Sequence, residues 1–184
     1  MYIQTEVTPN PNALKFLPGV VIKEGSPVRF SSGHDCEDSL LAKLLLSIEN
    51  VREVFFAHDF ITITKDEEAI WDVMKPEILV AIMNYLVSGQ DVMNKDKKPD
   101  NTAKEEDSDL VIQIKEIIEE KVRPAVAQDG GDIIFRGFED GVVKLELRGA
   151  CSGCPSSSVT LKNGIENMLK HYVPEVLSVE EFIE

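Results

Sequence analysis

Cys151 and Cys154 carry the clearest chemical signal in this chain. They stand in the run Cys-Ser-Gly-Cys-Pro, where an alternating strand pattern gives way to a helical one. Two thiols at this spacing can bind one metal centre. Tetrahedral zinc and an iron–sulfur cluster usually take four protein ligands, so the pair provides half of a set. We therefore expect the other two ligands to come from a second copy of the chain.

The remaining cysteine and the histidines do not complete the set within one chain. Cys36 is the only other cysteine, and we expect it to be structural or incidental rather than a ligand. None of the histidines has the spacing of a second ligand pair. They are His34, His58 and His171. His171 falls in the last turns of the helix predicted after the cysteines, so its side chain should lie far from the thiols.

Length and composition limit the remaining possibilities. A chain of 184 residues allows one large or two small domains, and a hydrophobic content of 43% is enough for a packed core. The formal charge of -14 argues against nonspecific binding to nucleic acid or to an anionic membrane, since both need basic surface. We therefore expect partners that are proteins or a metal, with no nucleic acid and no membrane.

The sequence favours a reducing compartment. Three cysteines are too few for a disulfide-stapled secreted fold. No apolar run approaches the length of a membrane span, and the first residues lack the basic and apolar regions of a signal peptide. We interpret the protein as cytoplasmic and bacterial, with the mitochondrial matrix as the alternative if the sequence is that of a mature chain.

Residues 88–108 are predicted to be a flexible charged linker between two domains. The stretch reads SGQDVMNKDKKPDNTAKEEDS, in which only three residues are apolar. Such a segment cannot bury enough apolar surface to order itself. We therefore expect an N-terminal domain at 1–87 and a C-terminal domain at 109–184, each able to fold alone.

The C-terminal half has the predicted element order α-β-β-α-β. Apolar residues recur at helical spacing before and after two strand-like runs, 132–138 and 142–148. These runs are joined at 139–141, where Asp-Gly is a strong hairpin signal. We expect Pro124 to kink or end the first helix, and a short last strand around 177–179. The second run alternates, so two sets of side chains are predicted to face opposite sides: Val143, Leu145 and Leu147 on one, and Lys144, Glu146 and Arg148 on the other.

This order places the two thiols at the start of a helix. Proline is favoured at the first helical position, so Pro155 makes Cys154 the expected N-cap. Backbone N–H groups without partners at a helix start stabilise thiolates and donate to sulfur, which suits a net-negative cluster. Small residues surround the thiols at 149, 150 and 153, so a bulky inorganic ligand or a second subunit can approach the backbone.

Four stretches of the sequence resemble the NifU/Nfu iron–sulfur cluster proteins. They are 8–16 (TPNPNALKF) and 54–65 (VFFAHDFITITK) in the N-terminal half, and 129–133 (DGGDI) and 147–157 (LRGACSGCPSS) in the C-terminal half. The resemblance covers nearly the whole chain except the linker. Asn50 and Ala57 stand where glycines are expected, which would alter local turns without affecting the cysteines.

The resemblance implies an Nfu-type N-terminal domain followed by a NifU-like cluster-binding domain, an α/β (α+β) fold class. In that family the N-terminal domain contributes partner contacts or regulation rather than ligands, and a packing role alone is the alternative. The residues themselves predict an α/β layer there, in which we expect Phe55 and Trp71 to lie in the core. Its predicted strands are 2–7, 13–17, 51–56 and 60–64, and its predicted helices are 40–48 and 67–86.

Three classes of function remain open. In the first, two chains pool Cys151 and Cys154, form a homodimer around a bridging 4Fe-4S cluster, and deliver that cluster to apo-proteins. In the second, the pair acts as a thiol-disulfide oxidoreductase, although the β-α-β pattern expected before such a motif is missing. In the third, the thiols hold zinc between interacting subunits. We favour the first, a carrier supplied by upstream assembly proteins and not an enzyme, because no catalytic constellation can be identified.

Overall fold

The computed structural model of the chain describes residues 2–31, 38–93, 108–152 and 155–182, without the side chains of 155–158. Its α-carbon contacts divide the chain into two compact units, Met1–Pro99 and Asp100–Glu184. Each unit mixes helices and strands, which confirms the predicted fold class. Most of the predicted linker falls outside the described residues. Among the described residues, no helix is both long and apolar enough to span a membrane.

The first unit is a five-stranded antiparallel sheet with strand order β1-β2-β5-β4-β3. Its strands are β1 (Gln4–Val7), β2 (Ala13–Leu17), β3 (Val28–Ser31), β4 (Val51–Phe56) and β5 (Ile61–Lys65), and its helices are α1 (Leu40–Leu46) and α2 (Trp71–Val87). Sequence reasoning did not predict β3. This strand has four residues and only one fully buried side chain, Phe30, so alternation gives little signal.

Both helices pack on one face of this sheet. Alternate strand residues such as Phe16 and Phe56 share a buried cluster with Leu45 of α1 and Ile78 of α2, and all four are completely buried. Phe55 is also completely buried, as predicted. Trp71 is only partly buried against the cluster. Its indole N–H donates to the carbonyl of Pro11 at 3.0 Å, which explains why this aromatic lies at the edge of the core.

The beginning of the predicted linker contacts the first unit. The hydroxyl of Tyr85 donates to the carbonyl of Asp91 at 2.9 Å. The hydroxyl of Ser39, which also caps α1, donates to the carbonyl of Val92 at 2.5 Å. Hydrogen bonds of this kind tie residues 91 and 92 to both helices of the unit.

The second unit has the predicted order α-β-β-α-β. Its elements are α3 (Asp109–Ile117), a π-helical segment (Ile118–Val122), α4 (Arg123–Gln128), β6 (Gly131–Glu139), β7 (Val142–Gly149), α5 (Pro155–Tyr172) and β8 (Ser178–Glu181). Strands β6 and β7 are antiparallel, β7 and β8 are parallel, and β7 lies in the centre. Asp140 and Gly141 both have positive φ angles, 48° and 80°, which fits the predicted two-residue hairpin turn.

The first helical region does not end at Pro124. It continues to Gln128, and the π-helical turn ends two residues before the proline, at Val122. Proline has no N–H to donate to the carbonyl four residues earlier, and a π-helical turn is one way for a helix to accommodate such an irregularity. The continuation brings α4 to the beginning of β6, directly beside the Asp-Gly-Gly-Asp stretch.

Candidate functional site

Cys151 lies in the turn between β7 and α5. Strand β7 ends at Gly149 and α5 begins at Pro155, so the strand-to-helix junction predicted for the cysteines is present and Pro155 is the first helical residue. Cys151 is 5% exposed and belongs to the buried cluster of the second unit. Gly153 and Cys154 lie outside the described residues, and so does the expected N-cap.

Backbone hydrogen bonds fix the approach to Cys151. The N–H of Ala150 donates to the carbonyl of Gly130 at 3.2 Å, and the N–H of Ser152 donates to the carbonyl of Gly149 at 3.0 Å. Gly149 has a φ of 66°, a left-handed conformation that a side chain would disfavour. The turn is therefore tied to the residue that precedes β6.

The Cys151 thiol packs directly on Gly131. A Cβ atom built on Gly131 would lie 2.6 Å from Sγ of Cys151 and 2.7 Å from the carbonyl oxygen of Arg148. Gly131 pairs with Gly149 across the β6–β7 ladder, so two residues without side chains face each other beneath the thiol. Here we use the term thiol seat for the space over Gly131 that Sγ of Cys151 occupies beside the Arg148 carbonyl.

An ion pair holds the beginning of β6 against α4. Arg123 donates from Nε to Oδ1 of Asp132 at 2.7 Å and from Nη2 to Oδ2 at 3.2 Å. The side chain of Asp132 is only 3% exposed. Arg123 also contacts both carboxylate oxygens of Glu119, each at 2.6 Å. The hydrogen bond to Asp132, followed by that to Glu119, raises the pKa of Arg123 despite the opposing effect of burial.

The outer face of β7 contains a buried carboxylate. Glu146 is 6% exposed, although it belongs to the face of β7 that alternates with the apolar one. Arg148 donates from Nε to its Oε1, and Arg136 donates from Nε to its Oε2, each at 2.6 Å. Burial by itself would raise the pKa of Glu146, but the hydrogen bonds and charges of the two arginines outweigh burial and lower it. The two arginines also cover the carboxylate, which alternation within one strand does not indicate.

The other candidate ligands are not brought to Cys151. His171 is in the last turn of α5, 5.0 Å from the ring of Tyr172, and sixteen residues beyond Pro155, a rise of about 24 Å. His58 is exposed and accepts a hydrogen bond from Ile22 through its carbonyl. His34 and Cys36 lie outside the described residues. In the part of the chain that the structure describes, no three His, Cys, Asp or Glu residues group together as metal ligands.

Sequence reasoning missed two features of this site. It assigned no role to Gly131, which is the first residue of β6 and forms the floor of the thiol seat. It also assigned no role to Asp132. An aspartate directly after a glycine pair, nine residues from an arginine, was the available signal, but a lone sequence does not show that such an aspartate is buried or which arginine it meets.

Comparisons with known proteins decide the family. Residues 3–89 match the family model described as the scaffold protein Nfu/NifU N terminal, and residues 114–180 match that of the NifU-like domain. The chain belongs to the NifU/Nfu family. The two matched segments each lie within one of the two units and together contain the four stretches on which the resemblance was based, so the resemblance is confirmed.

Relatives that match this NifU/Nfu chain over its whole length are named scaffold proteins. It is 51% identical over 187 residues to "NFU1 iron-sulfur cluster scaffold homolog, mitochondrial" of Drosophila sechellia, and 50% identical over 186 residues to the protein of the same name in Drosophila virilis. All of this chain is covered, against 66% and 62% of those relatives, so it spans somewhat less than two thirds of their length. The solution NMR structure of a NifU-like protein from Saccharomyces cerevisiae is 30% identical, with a TM-score of 0.48, over 52% of this chain and 87% of that chain.

Proposed function

We propose that this chain is an iron–sulfur cluster scaffold and carrier, whose cargo is a 4Fe-4S cluster bound by Cys151 and Cys154 of two chains. The observation that carries the proposal is the position of Cys151, at the end of β7 and immediately before α5, in a chain of the NifU/Nfu family. The relatives are named iron–sulfur cluster scaffolds, which supports an iron–sulfur cluster as the cargo.

The ligand count supports a shared site. Two thiolates per chain provide half of the four that a 4Fe-4S cluster usually takes, so two chains meet the requirement. A cluster held between two subunits is open to exchange. An acceptor thiol loses its proton as its sulfur binds iron, and that proton passes to the cysteine sulfur of this chain that leaves the iron. No electrons are needed, and the protein acts as a carrier rather than an enzyme.

The surroundings of Cys151 suit this cargo. Glycine and alanine at 149 and 150 place no bulky side chain beside Cys151, and the amino end of α5 follows within four residues. Partial positive charge at a helix start favours thiolate over thiol. A net-negative cluster is stabilised by the same charge.

One observation speaks against the thiol-disulfide oxidoreductase. An antiparallel hairpin, β6 and β7, precedes the cysteines, where a thioredoxin-like motif would follow a β-α-β unit. Zinc between two subunits uses the same thiolates and is distinguished by metal analysis.

We propose that the two domains have different roles. The C-terminal domain, residues 109–184, holds the cluster, while the N-terminal domain, residues 1–87, selects apo iron–sulfur proteins and upstream assembly proteins. Residues 88–108 serve as the linker. The relatives are named mitochondrial, so we propose the mitochondrial matrix as the compartment, in place of the bacterial cytoplasm that the sequence alone favoured.

Anaerobic reconstitution tests the proposed function. Protein prepared with iron and sulfide should be brown and contain about two iron and two sulfide per chain, with negligible zinc. Sedimentation should show a largely monomeric apo form and a cluster-loaded dimer. A cluster-loaded monomer contradicts the shared site, and a colourless protein with one zinc per two chains contradicts the cargo.

A further inference from the structure

We propose that Gly131 is a positioning residue for Cys151, because the missing side chain at 131 creates the thiol seat and so fixes where the sulfur lies. The inference rests on the proposed function, since it concerns the same thiol. Gly131 itself does not bind the cluster. It acts through the placement of Sγ.

The distances leave no room for a side chain at 131. A Cβ there would lie 2.6 Å from Sγ and 3.1 Å from Cβ of Cys151. Carbon atoms in favourable contact are about 3.5 to 4.0 Å apart, so something would have to move by roughly an ångström. Cys151 is part of the close-packed buried cluster, in which such movements are resisted.

Any movement that relieves the contact displaces Cys151. The second obstacle is the carbonyl oxygen of Arg148, 2.7 Å from the same Cβ position and only three residues before Cys151. On the other side, β6 cannot easily retreat, because Asp132 next to Gly131 is held by two hydrogen bonds from Arg123. The end of β7 and its turn must therefore yield, and they carry the sulfur with them.

Space, not backbone conformation, makes glycine necessary at this position. Gly130 and Gly149 have φ angles of 78° and 66°, whereas Gly131 is not among the residues with positive φ. An alanine at 131 therefore meets no backbone penalty. Gly137 offers a matched control, since it lies on the same strand without a positive φ and its Cβ would meet nothing within 4 Å.

The first experiment measures the thiol in the apo protein. In the full chain with Cys36→Ser and Cys154→Ser, Cys151 is the sole cysteine, and intact mass follows its alkylation by iodoacetamide. Gly131→Ala should raise the alkylation rate about tenfold, because a displaced sulfur loses its cover, while Gly137→Ala should change it by less than about twofold. The increase in alkylation rate should be the same in buffer and in a low concentration of urea, as expected for a local displacement of the sulfur rather than for unfolding. An unchanged rate in folded Gly131→Ala overturns the proposal, and so does an increase that grows with urea.

The second experiment measures the cargo. Gly131→Ala and Gly137→Ala, each with all three cysteines, are reconstituted anaerobically and exposed to an iron chelator. Gly131→Ala should release iron about tenfold faster than Gly137→Ala, because mispositioned ligands weaken a metal site. Equal release rates overturn the positioning role. A wild-type chain that binds no iron and sulfide contradicts the proposed function, whereas the alkylation experiment on apo protein still decides whether Gly131 forms the seat.

A third measurement covers the case in which Gly131→Ala folds but is too unstable for the other two experiments. Removal of the sulfur should relieve part of the crowding, so Gly131→Ala combined with Cys151→Ala should unfold at higher urea than Gly131→Ala alone. Since Cys151→Ala in the wild-type background removes a buried group, it should lower the midpoint there. If Cys151→Ala changes the urea midpoint in the same direction in wild type and in Gly131→Ala, the proposed contact between residue 131 and the thiol is overturned.

Discussion

Arg123 and Asp132 connect the first residue of α4 to the second residue of β6 through two hydrogen bonds, of 2.7 and 3.2 Å. The carboxylate is almost completely buried, whereas the guanidinium is 30% exposed. Because Asp132 follows Gly131, the pair anchors the strand on which the Cys151 thiol packs. The ion pair thus couples the stability of the second unit to the geometry of its candidate site.

We predict that Arg123→Ala destabilises the second unit by about 3 kcal/mol, because a buried carboxylate then loses its partner. Urea unfolding followed by circular dichroism measures the effect. Trp71, the only tryptophan, reports the first unit separately by fluorescence, and its transition should not change. Glu119→Gln is the control, since the Glu119 side chain is 58% exposed and its removal should cost less than about 1 kcal/mol. Equal losses for the two variants would mean that burial of Asp132 is not what matters.

The sequence predicts those elements whose periodic pattern extends over many residues. The hairpin of β6 and β7, the helix beginning at Pro155 and the element order of the second unit all follow from alternation, helical spacing and turn residues. Short β3 and the π-helical segment do not, because four residues or one turn carry too little periodicity. The cysteines are visible from their spacing alone.

The surroundings of the candidate site could not be predicted in the same way. The thiol seat depends on Gly131 and Arg148, which lie on different strands and meet only through the register of the ladder. Glu146 illustrates the same limit. Alternation assigns it to the polar face of β7 but does not show that Arg136 from the neighbouring strand and Arg148 pair with it and bury it. Contacts between strands are tertiary, and a pattern within one strand does not contain them.

Glu146 should make the second unit sensitive to acid. Its pKa in the folded protein is below the ordinary 4.5, because the hydrogen bonds of Arg148 and Arg136 outweigh the effect of burial. Protonation therefore favours unfolding: the stabilisation is complete above the unfolded pKa and is lost as the pH falls through the folded pKa. We predict that Glu146→Gln unfolds at lower urea than wild type at pH 7, and that this difference shrinks toward about pH 3.

A carboxylate on the same hairpin provides the control for this pH dependence. Glu139 accepts a hydrogen bond from Lys144 at 2.5 Å, which lowers its pKa, but its side chain is 72% exposed. Because solvent screens an exposed pair, Glu139→Gln should leave the urea midpoint nearly unchanged at both pH values. A Glu146→Gln deficit that stays constant with pH would show that the carboxylate charge is not the cause.

The three cysteines should behave differently after reconstitution. Cys151→Ser and Cys154→Ser should each abolish the visible absorbance, because the site loses two of its four thiolates when two chains share it. Cys36→Ser should leave the absorbance unchanged, since Cys36 belongs to the other half of the chain and has no partner cysteine at metal spacing. Loss of colour in the Cys36 variant would overturn this assignment of ligands.

The last prediction concerns independence of the C-terminal domain. Its buried cluster includes residues from α3, α4, both hairpin strands and α5, and it lies within the second unit. A fragment beginning at Ser108 retains the serine hydroxyl that accepts from the N–H of Val111 and caps α3. We therefore expect residues 108–184 to fold cooperatively. A fragment beginning at Asp109 should be about 1 kcal/mol less stable, because it lacks that cap.

The same fragment separates the roles of the two domains. Residues 108–184 should bind the cluster with the iron and sulfide content per chain of the full protein, while residues 1–93 should bind none. If the N-terminal domain selects partners, the fragment should still transfer its cluster to an apo-acceptor, with a changed rate or choice of recipient. Side-by-side reconstitution and transfer to one acceptor measure both properties. A folded fragment that cannot hold a cluster would mean that the N-terminal domain supplies ligands, because all the structure that surrounds Cys151 would still be present.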